Sequence, residues 1–464
     1  MGQWAGATGA QAASDAVRQQ IVVARIERLP FHRWHVKMRL IVGTATFFDG
    51  LDSMVISYIL PVLIPLWHLK PTQVGFMISS AYVGQLLGSL FFGWYAEQCG
   101  RRRSLTITVS IFAIASLLCM FSWAYGALIV LRFFQGWGLG GEMPVAATYI
   151  NELAKAKGRG KFVLLYELVF TIGLVLAALL GWTVIPQFGW RVMFLIGAVV
   201  GGIIPWIRRS LPESPRWLAG QRRFDEADKI VTAIENEVSE NGRRELPPVE
   251  LNFEAAELKP ARWAELMQGI YLRRSFTVWV IWFGTFFCNF GLFAWLPSLY
   301  TSIFHLPLKV ALRYAFAAQL LGLVAGLFCV FMIDTIGRKR LFTGAFAGLC
   351  ISMFLLMAYG RGSIEAMVTY SCCACFFVSC NSISLWVYTP ELYPTRMRAL
   401  GCGIGTAWYR VAVILAPSLV GFIISRYSLS YVFLMFGVVS GLGAIITGLF
   451  SVETKGRILE EVSP

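Results

Sequence analysis

Six ionisable side chains stand inside long apolar stretches of this 464-residue chain: Asp49, Asp52, Arg132, Glu142, Glu167 and Arg410. A charge in such surroundings costs about 3 kcal/mol even on the lenient insertion scales, so each needs a partner or a task. Asp49 and Asp52 are three residues apart and share one face of a helix. Two carboxylates that close in a low dielectric resist ionising together, which suits one of them to carrying a proton. Arg410 presents the opposite problem. Four acids face Arg132 in the first half of the chain, whereas the second half sets Arg410 in an apolar run with no acid at its depth. A guanidinium fork matches a carboxylate. Arg410 therefore binds a small organic anion, or pairs across a cavity with Glu167 or Asp49, and the two states can alternate. Phe286, Asn289, Phe290, Trp386 and Tyr388 could stack on and orient a small aromatic ring, with Glu167 at a ring nitrogen. For each of them the competing role is plain packing against lipid or a neighbouring helix.

The elements that must position these groups follow from composition. Hydrophobic residues make up 57% of the chain and charged residues 14%, and the mean hydropathy is +0.64. Soluble domains carry roughly 25% charged residues. This balance excludes a disordered chain, a disulfide-stapled secreted module and an ordinary soluble enzyme, and leaves an all-α integral membrane protein. Apolar runs at 37–66, 74–96, 104–123, 126–150, 161–186 and 190–207 are followed by six more at 275–303, 310–333, 341–358, 364–389, 400–424 and 430–451. Twelve transmembrane helices result. The expected organisation is a terminal segment 1–36, a six-helix bundle 37–208, a linker 209–272 whose stretch from Phe224 to Glu235 reads as an amphipathic helix, a second bundle 273–451, and a tail 452–464. No cleaved signal peptide is expected. The net charge of +14 is concentrated in the terminal segments, the linker and alternate loops. Such clusters face anionic lipid headgroups and place both termini in the cytoplasm; nucleic acid is not the partner. The ten cysteines, Cys372, Cys373, Cys375 and Cys380 among them, lie in apolar runs without histidine partners, so packing is expected and no metal.

An internal repeat divides the chain. Glu97 and Gly100-Arg101-Arg102-Arg103 answer Asp334 and Gly337-Arg338-Lys339-Arg340, 237 positions on. Tyr149, Glu152 and Arg159 answer Tyr388, Glu391 and Arg398 at 239, and Glu213 answers Glu453 at 240. Two related six-helix halves are implied, with a site at their seam. The acids and bases of these loops (Glu97, Arg101, Arg102, Glu152, Arg159, Asp334, Arg338, Glu391 and Arg398) can form ion-pair latches that hold one state and break in another. Plain topology determination is the competing reading, and both can hold.

These motifs carry a family resemblance over the whole chain. Gly93-x3-Glu97-x2-Gly100-Arg101-Arg102-Arg103 and Arg132-x2-Gln135-Gly136-x-Gly138 resemble signatures of the major facilitator superfamily, with Glu97 for the usual Asp and Val330 for the glycine of the second copy. Pro212-Glu213-Ser214-Pro215-Arg216, Pro390-Glu391-Leu392-Tyr393-Pro394 and Glu453-Thr454-Lys455-Gly456-Arg457 resemble the branch of sugar porters, organic-ion transporters and synaptic-vesicle-protein-like carriers. The seventh run lacks the sugar porters' glutamines, and Glu167 replaces their fifth-span Gln, which argues against hexose. Asp49-Gly50-Leu51-Asp52 resembles the aromatic acid:proton symporters, and within the branch the chain looks most like the bacterial niacin transporter group. The resemblance implies the major facilitator fold with its two pseudo-symmetric bundles, and proton-coupled symport of an aromatic or heteroaromatic monocarboxylate across the inner membrane. It also implies a chain that works as a monomer, with no cofactor. Asp52 aligns with the acid that pairs with Arg132, either as a proton-operated switch or as a permanent structural pair. The alternatives are a carrier of organic cations or other metabolites, a non-transporting sensor and a membrane enzyme. Gly136-x-Gly138-x2-Gly141 copies a dinucleotide fingerprint but lies in an apolar run without a preceding strand, so helix packing is expected there, as at Gly84/Gly88 and Gly322/Gly326.

Overall fold

The computed structural model describes residues 15, 17–153, 159–240, 242–249 and 263–455. A short helix α1 (17–27) precedes the first span, which is broken into α2 (Arg33–Ser53) and α3 (Val55–Trp67). Next come α4 (Pro71–Cys99), α5 (Arg101–Met120), α6 (Tyr125–Leu153) and α7 (Arg159–Phe188). The sixth span is α8 (Arg191–Ala198) and α9 (Ile204–Ser210), joined by a 3-10 turn at the Gly201-Gly202 pair. Helices α10 (Pro215–Gly220) and α11 (Phe224–Val238) form the linker. The second half begins with another broken span, α12 (Gly269–Phe293) and α13 (Leu296–Ile303). It continues through α14 (Leu308–Ile336), α15 (Arg338–Tyr359), α16 (Ile364–Glu391), α17 (Thr395–Arg426) and α18 (Leu429–Phe450). Ten of these twelve spans are long and apolar enough to cross a membrane by composition alone. The others are α6, which carries Arg132 and Glu142, and the interrupted sixth span. The first span starts at Arg33, four residues before the expected boundary.

The two halves repeat in detail. Gly100 and Gly337 each end one helix and begin the next at φ of +94° and +90°, a region that suits glycine. A Cβ at either place would also strike the carboxylate of Glu213 or Glu453. The breaks in the first and seventh spans, at Met54 and at Ala294–Trp295, are also equivalent positions. Within the first half, α4 and α6 approach backbone to backbone: a Cβ on Gly84 would collide with the Phe133 carbonyl, and one on Gly136 with that of Ala81. Gly138 packs in the same way on α5 and Gly141 on the Phe92 ring, so this glycine run serves packing.

We call the side bearing the Arg-rich turns the basic face. The halves meet toward the other, far face, through α4 on α17, α3 on α13 and α7 on α14. There Ser79 donates to the Ile414 carbonyl at 2.7 Å, and Trp182 stacks on Phe316 at 5.7 Å. Beyond the basic face, α11 buries Ala227, Val231, Ile234 and Val238, a helical stripe, in part against Val22 and Ile26 of α1. Arg25 of α1 and Arg28 just beyond its end both bind Glu235. Burial alone would push the Glu235 carboxyl up, but these two guanidinium groups outweigh it and hold the carboxyl below its ordinary range.

Candidate functional site

A cavity of about 420 Å3 lies between the halves at mid-depth. The first half supplies Met54, Met143, Phe170, Thr171 and Leu174, with Met54 standing at the break of the first span. The second half supplies most of the wall: Phe286, Asn289, Phe290, Gln319, Ser379, Ser382, Trp386, Tyr409 and Arg410. The lining is largely apolar and aromatic with a few polar groups, the usual balance of a small-molecule site. Trp386 meets Trp282 edge to face at 5.1 Å, and Phe286 stacks on Trp282 at 5.6 Å, so these rings are held rather than loose.

Arg410 is 7% exposed and reaches across the seam. Its Nη1 donates to Oε1 of Gln85 on α4, its Nη2 lies 3.9 Å from Sδ of Met143 on α6, and its Cζ sits 5.0 Å from the centre of the Tyr409 ring. Among the described residues, no carboxylate is within ion-pair distance of it. Asp49 is buried and exchanges no ion pair with it either. Among the described residues, Oδ1 of Asp49 has no hydrogen-bond partner. A buried acceptor left in that state costs about 1–3 kcal/mol, more if charged.

Asp52 has the reverse setting. Its Oδ2 accepts from Arg132 Nη1 at 2.9 Å and its Oδ1 from Gln135 Nε2 at 2.8 Å. Gln135 also accepts from Arg132 at 2.7 Å and donates to Ser116 at 2.8 Å. The four side chains close a buried, charge-balanced network inside the first half. Glu142, nearer the basic face, accepts from Thr46 at 3.0 Å.

The turn residues form two matching clusters. Arg101 Nη2 bridges Glu97 at 2.7 Å and Glu152 at 2.9 Å, and Arg338 bridges Asp334 at 2.7 Å and Glu391 at 2.9 Å. Glu213 accepts from the backbone N–H of Arg101 at 2.8 Å and of Arg102 at 3.2 Å; Glu453 accepts likewise from Arg338 at 2.9 Å and Lys339 at 3.2 Å. Each glutamate thus sits on the positive end of a helix. Burial pushes the Glu213 carboxyl up from its ordinary range, and these N–H groups offset part of that. Every one of these bonds is made within one half. Arg398 turns back onto the Pro390 carbonyl at 3.0 Å, also within its half.

The structure gathers Arg410, Asn289, Phe286, Phe290 and Trp386 around one cavity. It does not bring Tyr388 there. That residue is fully buried against Phe342, and its hydroxyl donates to the Val452 carbonyl at 3.0 Å, as Tyr149 does to Pro212 at 2.9 Å. The expected cargo contact at Tyr388 is therefore corrected to a structural tie. The side chains of Glu167 and Arg159, like the loop bearing Lys155 and Lys157, lie outside the described residues. Sequence reasoning passed over Gln85, whose position three residues from Tyr82 and six from Ser79 puts all three on the α4 face toward α17. Gln135 was visible within the Arg132-x2-Gln135 motif.

The chain belongs to the sugar (and other) transporter family, whose profile matches residues 40–464, and thus to the major facilitator superfamily. It is a multi-pass membrane protein and a secondary transporter of small molecules, not an enzyme. It is 32% identical to the niacin transporter NiaP of Acinetobacter baylyi over 447 residues, 95% of this chain and 99% of that one. It is 29% identical to the putative niacin/nicotinamide transporter NiaP of Bacillus subtilis over 426 residues, 91% of this chain and 98% of that one. The xylose transporter XylE of Escherichia coli, in a partially occluded inward open conformation, shares the fold with a TM-score of 0.71 at 20% identity, covering 92% of this chain and 100% of XylE.

Proposed function

We propose that the protein takes up a small aromatic or heteroaromatic monocarboxylate of the niacin type together with protons, across a bacterial inner membrane with both termini in the cytoplasm. The observation that carries this reading is Arg410: a guanidinium in the wall of an aromatic cavity, held by a neutral amide and by no described carboxylate. The aromatic wall suits a flat ring, and the guanidinium suits its carboxylate. The two NiaP relatives lend the choice of niacin its support.

Proton coupling follows from charge. Buried Asp49 as an anion would oppose the attraction of Arg410 for a second anion; a proton on Asp49 would remove that opposition. Proton and cargo then bind better together than apart, which is what symport requires. Asp52 and Arg132 are the second candidate relay, because a proton on Asp52 would release Arg132 from its network. With the basic face in the cytoplasm, the halves touch on the outer side, and the cavity reaches inward past Trp386 and Val330. Rocking of the halves would alternate access, with the Arg101 and Arg338 clusters keeping each half rigid at its cytoplasmic end. An organic cation is disfavoured by the same Arg410.

The test is uptake of labelled nicotinate into proteoliposomes at stepped external pH. Uptake should rise as the outside is made more acidic and collapse when a protonophore is added. Uptake of equal rate with and without a proton gradient would remove the coupling from this reading.

A further inference from the structure

The helices that join the halves form a ladder. On α4, Ser79, Tyr82 and Gln85 follow one another at helical spacing; on α17, Ser418, Ile414 and Arg410 run the other way. Ser79 meets Ser418 at 2.8 Å and the Ile414 carbonyl at 2.7 Å, the Tyr82 ring meets Phe290 at 5.4 Å, and Gln85 meets Arg410. Gln85 is the rung beside the cavity. Its side chain is 4% exposed, and its backbone is fixed by Gly140 of α6, where a Cβ would strike the Gln85 carbonyl.

We infer that Gln85 is a positioning residue that sets the charge class of the cargo, an inference that rests on the anion reading proposed above. The amide acts in two ways. It takes one N–H of Arg410 through Nη1 and so helps to orient the guanidinium, whose remaining N–H groups, apart from the Nη2 contact with Met143 Sδ, can turn to a ligand. It is also neutral, so the full positive charge is left for the cargo. A carboxylate at the same place would make the same hydrogen bond and cancel that charge. Glutamine and glutamate are nearly isosteric, so a single substitution separates geometry from charge. The bond also spans the two halves, so cargo that draws on Arg410 acts directly on one of the contacts that join them.

The test is equilibrium binding of nicotinate and benzoate to the purified full chain in detergent, with no gradient, from about pH 7.5 down to about pH 4, a range that takes in the ordinary glutamate value of about 4.3. Gln85→Glu is expected to lose about tenfold or more in affinity at the upper pH, the order expected for removing one charge-assisted pairing. The loss should shrink, relative to wild type at the same pH, as acid neutralises the introduced carboxylate. A purely structural role for Gln85 would give no such pH-dependent ratio. Gln85→Met keeps the bulk without the hydrogen bond and should weaken binding at every pH by a constant factor; it carries the test if Gln85→Glu does not fold. Wild-type affinity in Gln85→Glu at all pH values, or in Gln85→Met, overturns the assignment. If wild type binds neither acid, the anion reading itself fails and takes this inference with it, an outcome distinct from the first.

Discussion

Replacing Asp52 by Asn tests whether the buried network of the first half is one unit. Asp52 and Arg132 are 2% and 1% exposed, and the carboxylate accepts two hydrogen bonds, from Arg132 and Gln135. Removing the negative charge leaves a guanidinium in the interior with no compensating ion, and breaking a buried pair in this way costs about 3–5 kcal/mol. Arg132→Gln should cost a similar amount, because Asp52 is then the unpaired ion. The double variant contains neither ion. Neutral replacement of a buried pair is often close to neutral in stability, so the double should be far more stable than the sum of the singles. With about 3–5 kcal/mol for each single and little for the double, the coupling energy expected from the cycle is about 6 kcal/mol or more, well outside the roughly 0.5 kcal/mol scatter of independent sites. Reversible unfolding of the purified protein in mixed detergent, followed by tryptophan fluorescence, measures all four corners. Additive costs would refute the idea that Asp52 and Arg132 stand or fall together. In flux assays, Asp52→Asn should retain nicotinate exchange between equal pools while losing accumulation driven by a proton gradient, if the pair takes part in coupling.

Three further outcomes follow from the packing and the linker. Gly136→Val forces a branched side chain into the Ala81 carbonyl, so it should abolish correctly folded protein in size-exclusion and thermal-melt assays, while a substitution at the open Gly126 should not. Tyr388→Phe should leave nicotinate affinity unchanged and lower stability by about 1 kcal/mol, the usual value of one hydrogen bond, because its hydroxyl serves the Val452 backbone. Glu235 is held below its ordinary range, so its contribution to docking α1 on α11 is present at neutral pH and is lost as acid passes through the lowered value. Protection against hydrogen exchange across residues 17–27 should therefore begin to fall as the pH drops through the usual glutamate range and be lost below the lowered value; protection unchanged below that value would contradict the ion-pair account.

The fold was legible because its signals are long and redundant. Apolar runs of about 20 residues mark spans by themselves, and the repeat at offsets of 237–240 marked the halves before any contact was known. The structure gives those offsets a cause: Gly100 with Glu213 and Gly337 with Glu453 build the same tight turn twice. The same repeat bears on Tyr388, because its counterpart Tyr149 makes the same hydroxyl-to-carbonyl tie, to Pro212. Charged groups were legible in the membrane because they are costly there, which is why Asp49, Asp52, Arg132 and Arg410 could be singled out. Gln85 was not, because an uncharged amide in a glycine-rich span carries no comparable penalty and gains its meaning only from the helix opposite. The breaks at Met54 and Ala294–Trp295 were equally silent, since the apolar run continues through both.

The central claim is that Arg410 receives the carboxylate of the cargo. Nicotinate and nicotinamide differ at that group and share the ring, so calorimetric titration of both into wild type and Arg410→Gln isolates the contact. The expected result is a preference of wild type for nicotinate of about tenfold or more, equivalent to about 1.4 kcal/mol, and its disappearance in Arg410→Gln with the fold intact. Undiminished preference for nicotinate in Arg410→Gln would contradict the account.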